Sequence, residues 1–193
     1  ENYLGAKIGQ GNLGLSQSGV GVEWDGFAFK LDANYNLISK DTYGIDVNLD
    51  FLSGSGLDGP VGTDSDISKF DGILKPFMKF SDITIFANIG FSSADWDIKS
   101  TGTVAKIDES TFAPGIGFEF SLDKLSIAPS LDWVDFDDQA KGTFVTIPAS
   151  YLINDKLSLT AEFEFASFDS FTLGGSEYEF NYDSLMIGVD YNF

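Results

Sequence analysis

Apolar and polar residues alternate along most of this chain, and this period of two constrains its fold more than any other feature. Every second residue is apolar in four stretches, 43–51, 83–91, 157–165 and 185–193, and the positions between them are mostly polar or glycine. Such alternation indicates β-strands with one apolar and one polar face. Each stretch is about as long as the roughly 9–11 residues that a tilted strand needs to cross a bilayer. The pattern therefore predicts an all-β, transmembrane, antiparallel up-and-down β-barrel.

Turn signals divide the chain into about ten strands. We predict them over 2–15, 20–37, 43–52, 70–80, 83–93, 111–122, 125–135, 144–153, 157–167 and 179–193. Short connections (38–42, 81–82, 123–124 and 154–156) alternate with longer polar segments (53–69, 93–110, 135–143 and 167–177), as expected for hairpins with turns on one side of a membrane and loops on the other. The chain is expected to form a single domain, 1–193. Eight strands are the alternative, because the apolar phase slips near 9–11 and 25–26, where we place β-bulges.

Strand register follows from the turns. Three hairpins keep one continuous apolar face if the residues beside their turns pair, namely Leu37 with Tyr43, Phe80 with Ile83 and Leu122 with Leu125. The first pairing places Lys30 opposite Asp50 on the polar face. Four prolines within the strands remove ladder donors and predict local bends: Pro76, Pro114, Pro129 and Pro148.

Aromatic residues lie near both ends of the predicted strands. The loop-side set is Trp24, Trp96, Trp133, Phe70, Phe112 and Tyr182, and the turn-side set is Tyr35, Tyr43, Phe80, Tyr151, Tyr191 and Phe193. Amphipathic rings favour both membrane interfaces, so two belts around aliphatic middles indicate an apolar face that contacts lipid. A soluble, lipocalin-like barrel that carries a lipophilic ligand is the alternative, with the apolar face inside.

The last strand ends Gly188-Val189-Asp190-Tyr191-Asn192-Phe193. This segment resembles the terminal insertion signal of bacterial outer-membrane β-barrels, in which Gly188, Tyr191 and Phe193 would be the signal residues. Met186 departs from it, because a polar residue usually stands there. The resemblance implies a Gram-negative outer-membrane location, lipid as the surroundings and the barrel assembly machinery as a partner. The sequence begins at Glu1 without Met or a charged-then-apolar segment, so we expect that a signal peptide has been removed.

Composition restricts the chemistry available to the chain. It contains no His, no Cys and no Arg, and its net charge is -19. Nucleic acid selects basic surfaces and is excluded as a partner. Small outer-membrane barrels that are enzymes resemble one another in using His, so we expect no enzyme, no cofactor and no metal. Carboxylate pairs at Asp137-Asp138 and Glu162/Glu164 are the nearest catalytic candidates. Loop aspartates such as Asp135 are the nearest candidates for calcium ligands. We favour the simpler interpretation of all these acids as parts of solvated loops and of a polar lumen.

The polar face predicts a charged lumen. Its lysines are Lys7, Lys30, Lys75 and Lys79, and its acids are Asp32, Asp46, Asp50, Asp71, Glu119, Asp132, Glu162, Glu164 and Asp190. Charges in a poorly hydrated space need partners, so we expect a paired network that mostly fills the barrel. A small cation-preferring pore is the alternative, because acids outnumber lysines. Phe77 and Phe86 should face each other and narrow it. Acidic extracellular loops are expected to serve structural or interaction roles, with no partner identified.

Overall fold

A computed structural model describes residues 2–18, 20–59, 62–100, 103–136, 140–173 and 176–193. The strands are β1 (Tyr3–Gln17), β2 (Val20–Ser39), β3 (Tyr43–Asp58), β4 (Asp64–Phe80), β5 (Ile83–Ser100), β6 (Thr103–Leu122), β7 (Leu125–Ile127), β8 (Ser130–Phe136), β9 (Ala140–Asn154), β10 (Leu157–Leu173) and β11 (Ser176–Asn192). In this part of the chain, no helix is long and apolar enough to cross a membrane.

The sheet closes on itself. Strands adjacent in sequence pair antiparallel, except β7 with β8, and β1 pairs with β11 from Tyr3 opposite Asn192 to Ser16 opposite Glu179. Both β7 and β8 lie between β6 and β9, so they share one position that is interrupted at Ala128 and Pro129. The described strands therefore form a closed barrel of ten positions, as predicted, and Pro129 causes the expected local break.

Two of the predicted hairpin registers are confirmed. Phe80 pairs with Ile83 across the turn at 81–82, and Leu122 pairs with Leu125 across the turn at 123–124. The first residue of each turn, Ser81 or Asp123, has a positive φ, 55° and 51° respectively. Asp and other short polar residues tolerate this left-handed conformation, which tight turns require.

The predicted register of β2 and β3 is wrong. Asp32, rather than Lys30, pairs with Asp50, and Lys30 pairs with Leu52. The cause is a β2 that continues to Ser39, with a register shift between Asn36 and Ile38 that uses one extra residue. The bulge predicted in β2 near 25–26 is wrong: β2 keeps one register with β1 through these residues, and the shift opposite them, from Asp25–Asp58 to Ala28–Gly54, places the extra residue on β3. The bulge predicted near 9–11 is absent, because β1 keeps one register with both neighbours throughout.

The segments predicted as long loops are mostly strand. β3 and β4 continue to Asp58 and from Asp64, and β5 and β6 continue to Ser100 and from Thr103. Polar residues dominated these segments and hid their alternation. The asymmetry between the two ends of the barrel is therefore an overhang of paired strands on the loop side, with short connections on both sides.

The two faces of the barrel wall differ as predicted over most of its height. Aliphatic side chains that point outward are strongly exposed, among them Ile8 at 53%, Leu159 at 53% and Ile187 at 60%. Buried charges, including Lys7, Lys30 and Glu162, point into the lumen. A soluble barrel would reverse this arrangement, because water favours a polar exterior.

The predicted loop-side aromatic belt is wrong for three of its members. Trp24, Trp96 and Tyr182 point inward and are at most 3% exposed, whereas Trp133 is 44% exposed on the outer face. The reason is a change in the inner row: it is polar near the turns and becomes apolar towards the loops. The apolar phase slip near 9–11 has the same origin, because Leu13 points inward while Ile8 points outward.

Candidate functional site: the barrel lumen

The turn-side half of the lumen contains a buried network of ion pairs on β1, β2, β3 and β10. Lys7 Nζ donates to Asp32 Oδ1 at 2.7 Å and lies 3.4 Å from Glu162. Lys30 Nζ donates to Glu162 Oε1 at 2.6 Å and lies 3.5 Å from Asp50. Two strands separate β2 from β10, so Glu162 receives both lysines across the interior. The network follows from alternation, which turns every second residue of these strands inward.

A second ion cluster spans the barrel and depends on Lys69, which sequence reasoning missed. Its Nζ lies 2.9 Å from Glu164 Oε1 and 3.2 Å from Asp71 Oδ2, and 4.2 Å from the centre of the Phe144 ring. Lys69 on β4 and Glu164 on β10 stand on opposite walls, with four strand positions between them on either side. The signal that could have found it is its spacing: Lys69 is two residues from Asp71 on the same strand, so both side chains point inward. Its polar neighbours make the segment 53–69 resemble a loop in the sequence.

A cavity of about 660 Å³ occupies the polar half, and we call it the vestibule. Turn residues 81–82 and 123–124 form part of its wall, so it opens at the turn end. All the predicted lumen residues line it: Lys30, Asp32, Asp46, Asp50, Lys75, Lys79, Glu119, Asp132, Glu162 and Glu164. Lys7, Asp71 and Asp190 line it as well, as predicted from parity. Lys79 is exposed at the mouth.

Two aromatic rings narrow the vestibule. Phe77 and Phe86 pair across β4 and β5, as predicted, and are 8% and 4% exposed. Each ring has a lysine ammonium beside it: Lys75 Nζ lies 3.7 Å from the centroid of Phe86, and Lys79 Nζ lies 5.2 Å from that of Phe77. Ring faces attract cations through their quadrupole.

The loop-side half of the lumen is filled by apolar side chains, which we call the plug. Trp96 stacks on Phe180 at a centroid distance of 4.4 Å and an interplanar angle of 26°, and meets Phe168 edge-on at 5.4 Å. The other large side chains of this cluster are Leu13, Leu15, Trp24, Leu52, Leu57, Ile67, Val134, Phe144, Tyr182 and Met186. The filling of the lumen therefore differs from the expected polar network: it is ionic near the turns and aromatic near the loops.

Two carboxylates converge over Gly5. Asp32 on β2 and Asp190 on β11 are both opposite this glycine, and a Cβ there would overlap Asp190 Oδ1 and lie 2.6 and 2.7 Å from the two Asp32 oxygens. Only Gly leaves this space beside its neighbours. Asp32 Oδ2 and Asp190 Oδ1 are buried and have no hydrogen-bond partner among the described residues.

Two residues of the predicted insertion signal, Gly188 and Tyr191, lie on β11, and Phe193 directly follows its last residue. Tyr191 and Phe193 point outward and are 49% and 63% exposed. Gly188 points inward, where a Cβ would overlap the carbonyl oxygen of Ala6 and lie 2.7 Å from Lys7 Cγ. Met186, the departure from the signal, is buried in the plug. Gly188 therefore has a packing role in the lumen, and its part in insertion stays a prediction.

Acidic residues are frequent on the overhanging strands. Asp66 accepts hydrogen bonds from Lys99 Nζ at 2.6 Å and from the Gly56 amide at 2.8 Å, and these donors hold its pKa below the usual range. Asp135 is paired with Lys141 at 2.9 Å. Asp137 and Asp138, candidates from the sequence, lie outside the described residues. Within the described ranges, no group of three or more acidic side chains is arranged to hold a metal ion.

No protein-family model matches this chain, and no curated protein matches it. Solved structures do. Neisserial surface protein A is 12% identical over 100% of each chain, with a TM-score of 0.52. The outer membrane protease OmpT from Escherichia coli is 11% identical over 100% of this chain and 97% of its own, with a TM-score of 0.65. The translocator domain of the autotransporter NalP from Neisseria meningitidis is 9% identical over 100% and 88%, with a TM-score of 0.57.

At these identities, the similarity to the solved structures shows the fold alone. The outer surface of this chain is a second observation, and it bears on the surroundings of the barrel. Outward aliphatic residues cover the wall of a closed antiparallel barrel, where only lipid would favour their exposure. The turn end holds both described ends of the chain, near Tyr3 and Asn192. This chain has the fold of small bacterial outer-membrane β-barrel proteins, with an apolar outer wall suited to lipid.

Proposed function

We propose that this protein is a non-catalytic, non-conducting outer-membrane barrel whose acidic overhang serves structural or interaction roles outside the cell. The observation that carries the proposal is the plug. Trp96, Phe168 and Phe180 are each at most 1% exposed and meet across the lumen, so they leave no wide aqueous path. The barrel assembly machinery is the expected partner during insertion, because the last strand resembles its signal.

The absence of an enzymatic activity is part of the same proposal. With neither His nor Cys in the chain, a Ser–His or Cys–His nucleophile pair cannot be built. The two glutamates considered as a catalytic pair are engaged by lysines instead: Glu162 by Lys30 and Glu164 by Lys69. OmpT is named as a protease, and its likeness to this chain extends to the fold.

Conductance tests the proposal. The purified parent protein, reconstituted in a planar bilayer, is expected to show no steady current. Trp96→Ala shortens the largest fully buried side chain of the plug and should produce measurable, cation-preferring openings, because the vestibule below is lined by excess acid. Truncating a buried Trp costs about 3–5 kcal/mol, so Phe180→Leu serves as a milder second variant.

A matched control is Trp133→Ala, which removes the same side chain from the outer face. It should leave the bilayer record of the parent unchanged. Large, stable, cation-selective current through the parent would contradict the proposal. A small cation-preferring channel would then be the better assignment, since acidic residues outnumber lysines around the vestibule.

A further inference from the structure

The vestibule is a blind cavity at the turn end, and its size suits a small ligand. Its volume of about 660 Å³ falls within the range of roughly 300–1,000 Å³ typical of small-molecule sites. The plug closes it on the loop side, so a ligand would enter and leave by the turn end. The charges along its wall indicate what such a ligand would be.

Three lysines of the vestibule are already engaged. Lys7, Lys30 and Lys69 each lie within 3.0 Å of a carboxylate oxygen, on Asp32, Glu162 and Glu164. All three are largely buried, and breaking such pairs is costly. They are therefore committed to ion pairs of the structure, which also include Asp50 beside Lys30 and Asp71 beside Lys69.

Three other carboxylates are held by neutral donors. Asn36 donates to Asp46 at 2.5 Å. The Ser126 hydroxyl donates to Glu119 at 2.8 Å, and Asn88 donates to Asp132 at 2.7 Å. Neutral donors orient a carboxylate but leave its charge in place. This part of the wall therefore carries negative charge that direct ion pairs do not offset.

Lys75 shows how an ammonium is held in this space. Its Nζ lies over the Phe86 ring at 3.7 Å from the centroid, and its electrostatic neighbours include Glu119, Asp46 and Asp132. Among the described residues it forms no direct ion pair. The site thus stabilises a primary ammonium by a ring face and by surrounding negative charge, as cation-binding aromatic sites do.

The wall at β10 and β11 supplies an independent sign of a missing partner. Asp190 Oδ1 and Thr160 Oγ1 are buried without a hydrogen-bond partner in the described part of the chain, and their residues are 7% and 4% exposed. Both residues line the vestibule. An unpaired buried carboxylate oxygen is unfavourable and is stabilised by a donor, best a charged one.

We propose that the vestibule binds a small linear diamine, which enters from the turn end. One ammonium is held by the carboxylates around Lys75, chiefly Glu119, and the other by Asp190 across the cavity. The alkyl chain contacts the rings of Phe77 and Phe86. This inference goes beyond the proposed function; the entry route rests on the same plug, whereas the test below measures binding and not conductance.

Calorimetric titration of the full-length protein in a neutral detergent tests this proposal. The probe is 1,6-diaminohexane. Hexylamine, which carries one positive charge, and 1,6-hexanediol, which carries none, are the comparison ligands. Saturable binding of one diamine per barrel is expected, at least about tenfold tighter than hexylamine, because the second charged contact is lost in the monoamine. No saturable binding of the diamine, or equal binding of the diol, would overturn the proposal.

Three variants locate the site. Glu119→Gln and Asp190→Asn should each weaken diamine binding about tenfold, because each removes a charged partner while keeping side-chain size. Lys75→Met should strengthen it, since a tethered competitor for the same carboxylates is removed. The matched control is Asp135→Asn, an exposed acid at the loop end that should have no effect.

Three results would contradict the assignment of a diamine site to the vestibule. Equal weakening by Asp135→Asn and Glu119→Gln would mean that net charge alone attracts the probe. Weaker binding by Lys75→Met would mean that Lys75 is not a competitor. Binding of Mg²⁺ at lower concentrations than the diamine, with displacement of the diamine, would identify an inorganic cation site instead.

Discussion

Glu162 receives two lysines, Lys30 at 2.6 Å and Lys7 at 3.4 Å, and its side chain is 7% exposed. Asp50, which the sequence suggested as the partner of Lys30, lies farther away at 3.5 Å and is 20% exposed. The nearer and drier carboxylate should therefore contribute more to stability, because water screens the other.

Glu162→Gln should lower the free energy of unfolding by about 3–5 kcal/mol, the usual loss when one partner of a buried ion pair is removed. Asp50→Asn should cost less. Chemical unfolding in lipid vesicles, followed by tryptophan fluorescence, measures both variants against the parent.

The control for Glu162→Gln is Asp135→Asn, whose pair with Lys141 is more than half exposed on both sides. Exposed pairs contribute about 0–1 kcal/mol. If Glu162→Gln and Asp135→Asn lost equally little stability, the network would be well hydrated, and the lumen would be more open than its burial indicates.

The alternation of inward and outward positions along each strand was enough to predict that the charged side chains of the polar half point inward. It could not predict which of them pair with each other. The partner of Lys30 is three strands away, and that distance depends on closure of the barrel. Lys69 was missed for a different reason, because polar neighbours made its strand resemble a loop. Trp96 was placed in the membrane interface because an inward and an outward aromatic residue look alike without the register.

Strands of this barrel combine a lipid-facing row with a lumen-facing row, and β11 shows both over the membrane. Ile187 is 60% exposed on the outer face, near the middle of the turn-side part of the strand. Ile187→Lys should impair assembly by about 2–4 kcal/mol, the cost of Lys at the bilayer midplane. Folding yield in vesicles and unfolding free energy report the effect.

Val20 offers the matched comparison, since it is a β-branched residue that is 77% exposed at the loop-side end of β2. Val20→Lys should fold like the parent, because water surrounds that position. A normal yield for Ile187→Lys together with a poor one for Val20→Lys would mean that the membrane surrounds the overhang instead.

At the scale of elements, the sequence predicted strand number, two turns and their registers, because short turns and alternation are local signals. It missed the overhangs. The segment 93–100 continues β5, but its inward residues Ala94 and Trp96 are apolar while its outward ones are polar, the reverse of the phase below. A reversal of faces within one strand looks like an end of alternation, and only pairing with a neighbour reveals the continuity.

The outer wall of the whole barrel is apolar, so the folded protein requires lipid or detergent around it. We expect folding only in detergent or lipid, with unboiled and boiled samples migrating differently in a detergent gel, since the closed ladder keeps its shape until it is heated. A folded, monodisperse preparation in detergent-free buffer would contradict the membrane assignment.

The seam between β1 and β11 joins Tyr3 to Asn192, so the two strands that complete the sheet are the most distant along the chain. The other ladders link strands that lie close together in sequence and can form early, whereas this one has the largest loop-closure entropy cost. Until it forms, β1 and β11 each present a free edge of unpaired amides and carbonyls, which readily join other chains. Assembly is therefore most vulnerable just before its last step, and a chaperoned route would have to shield those two edges in particular until they meet.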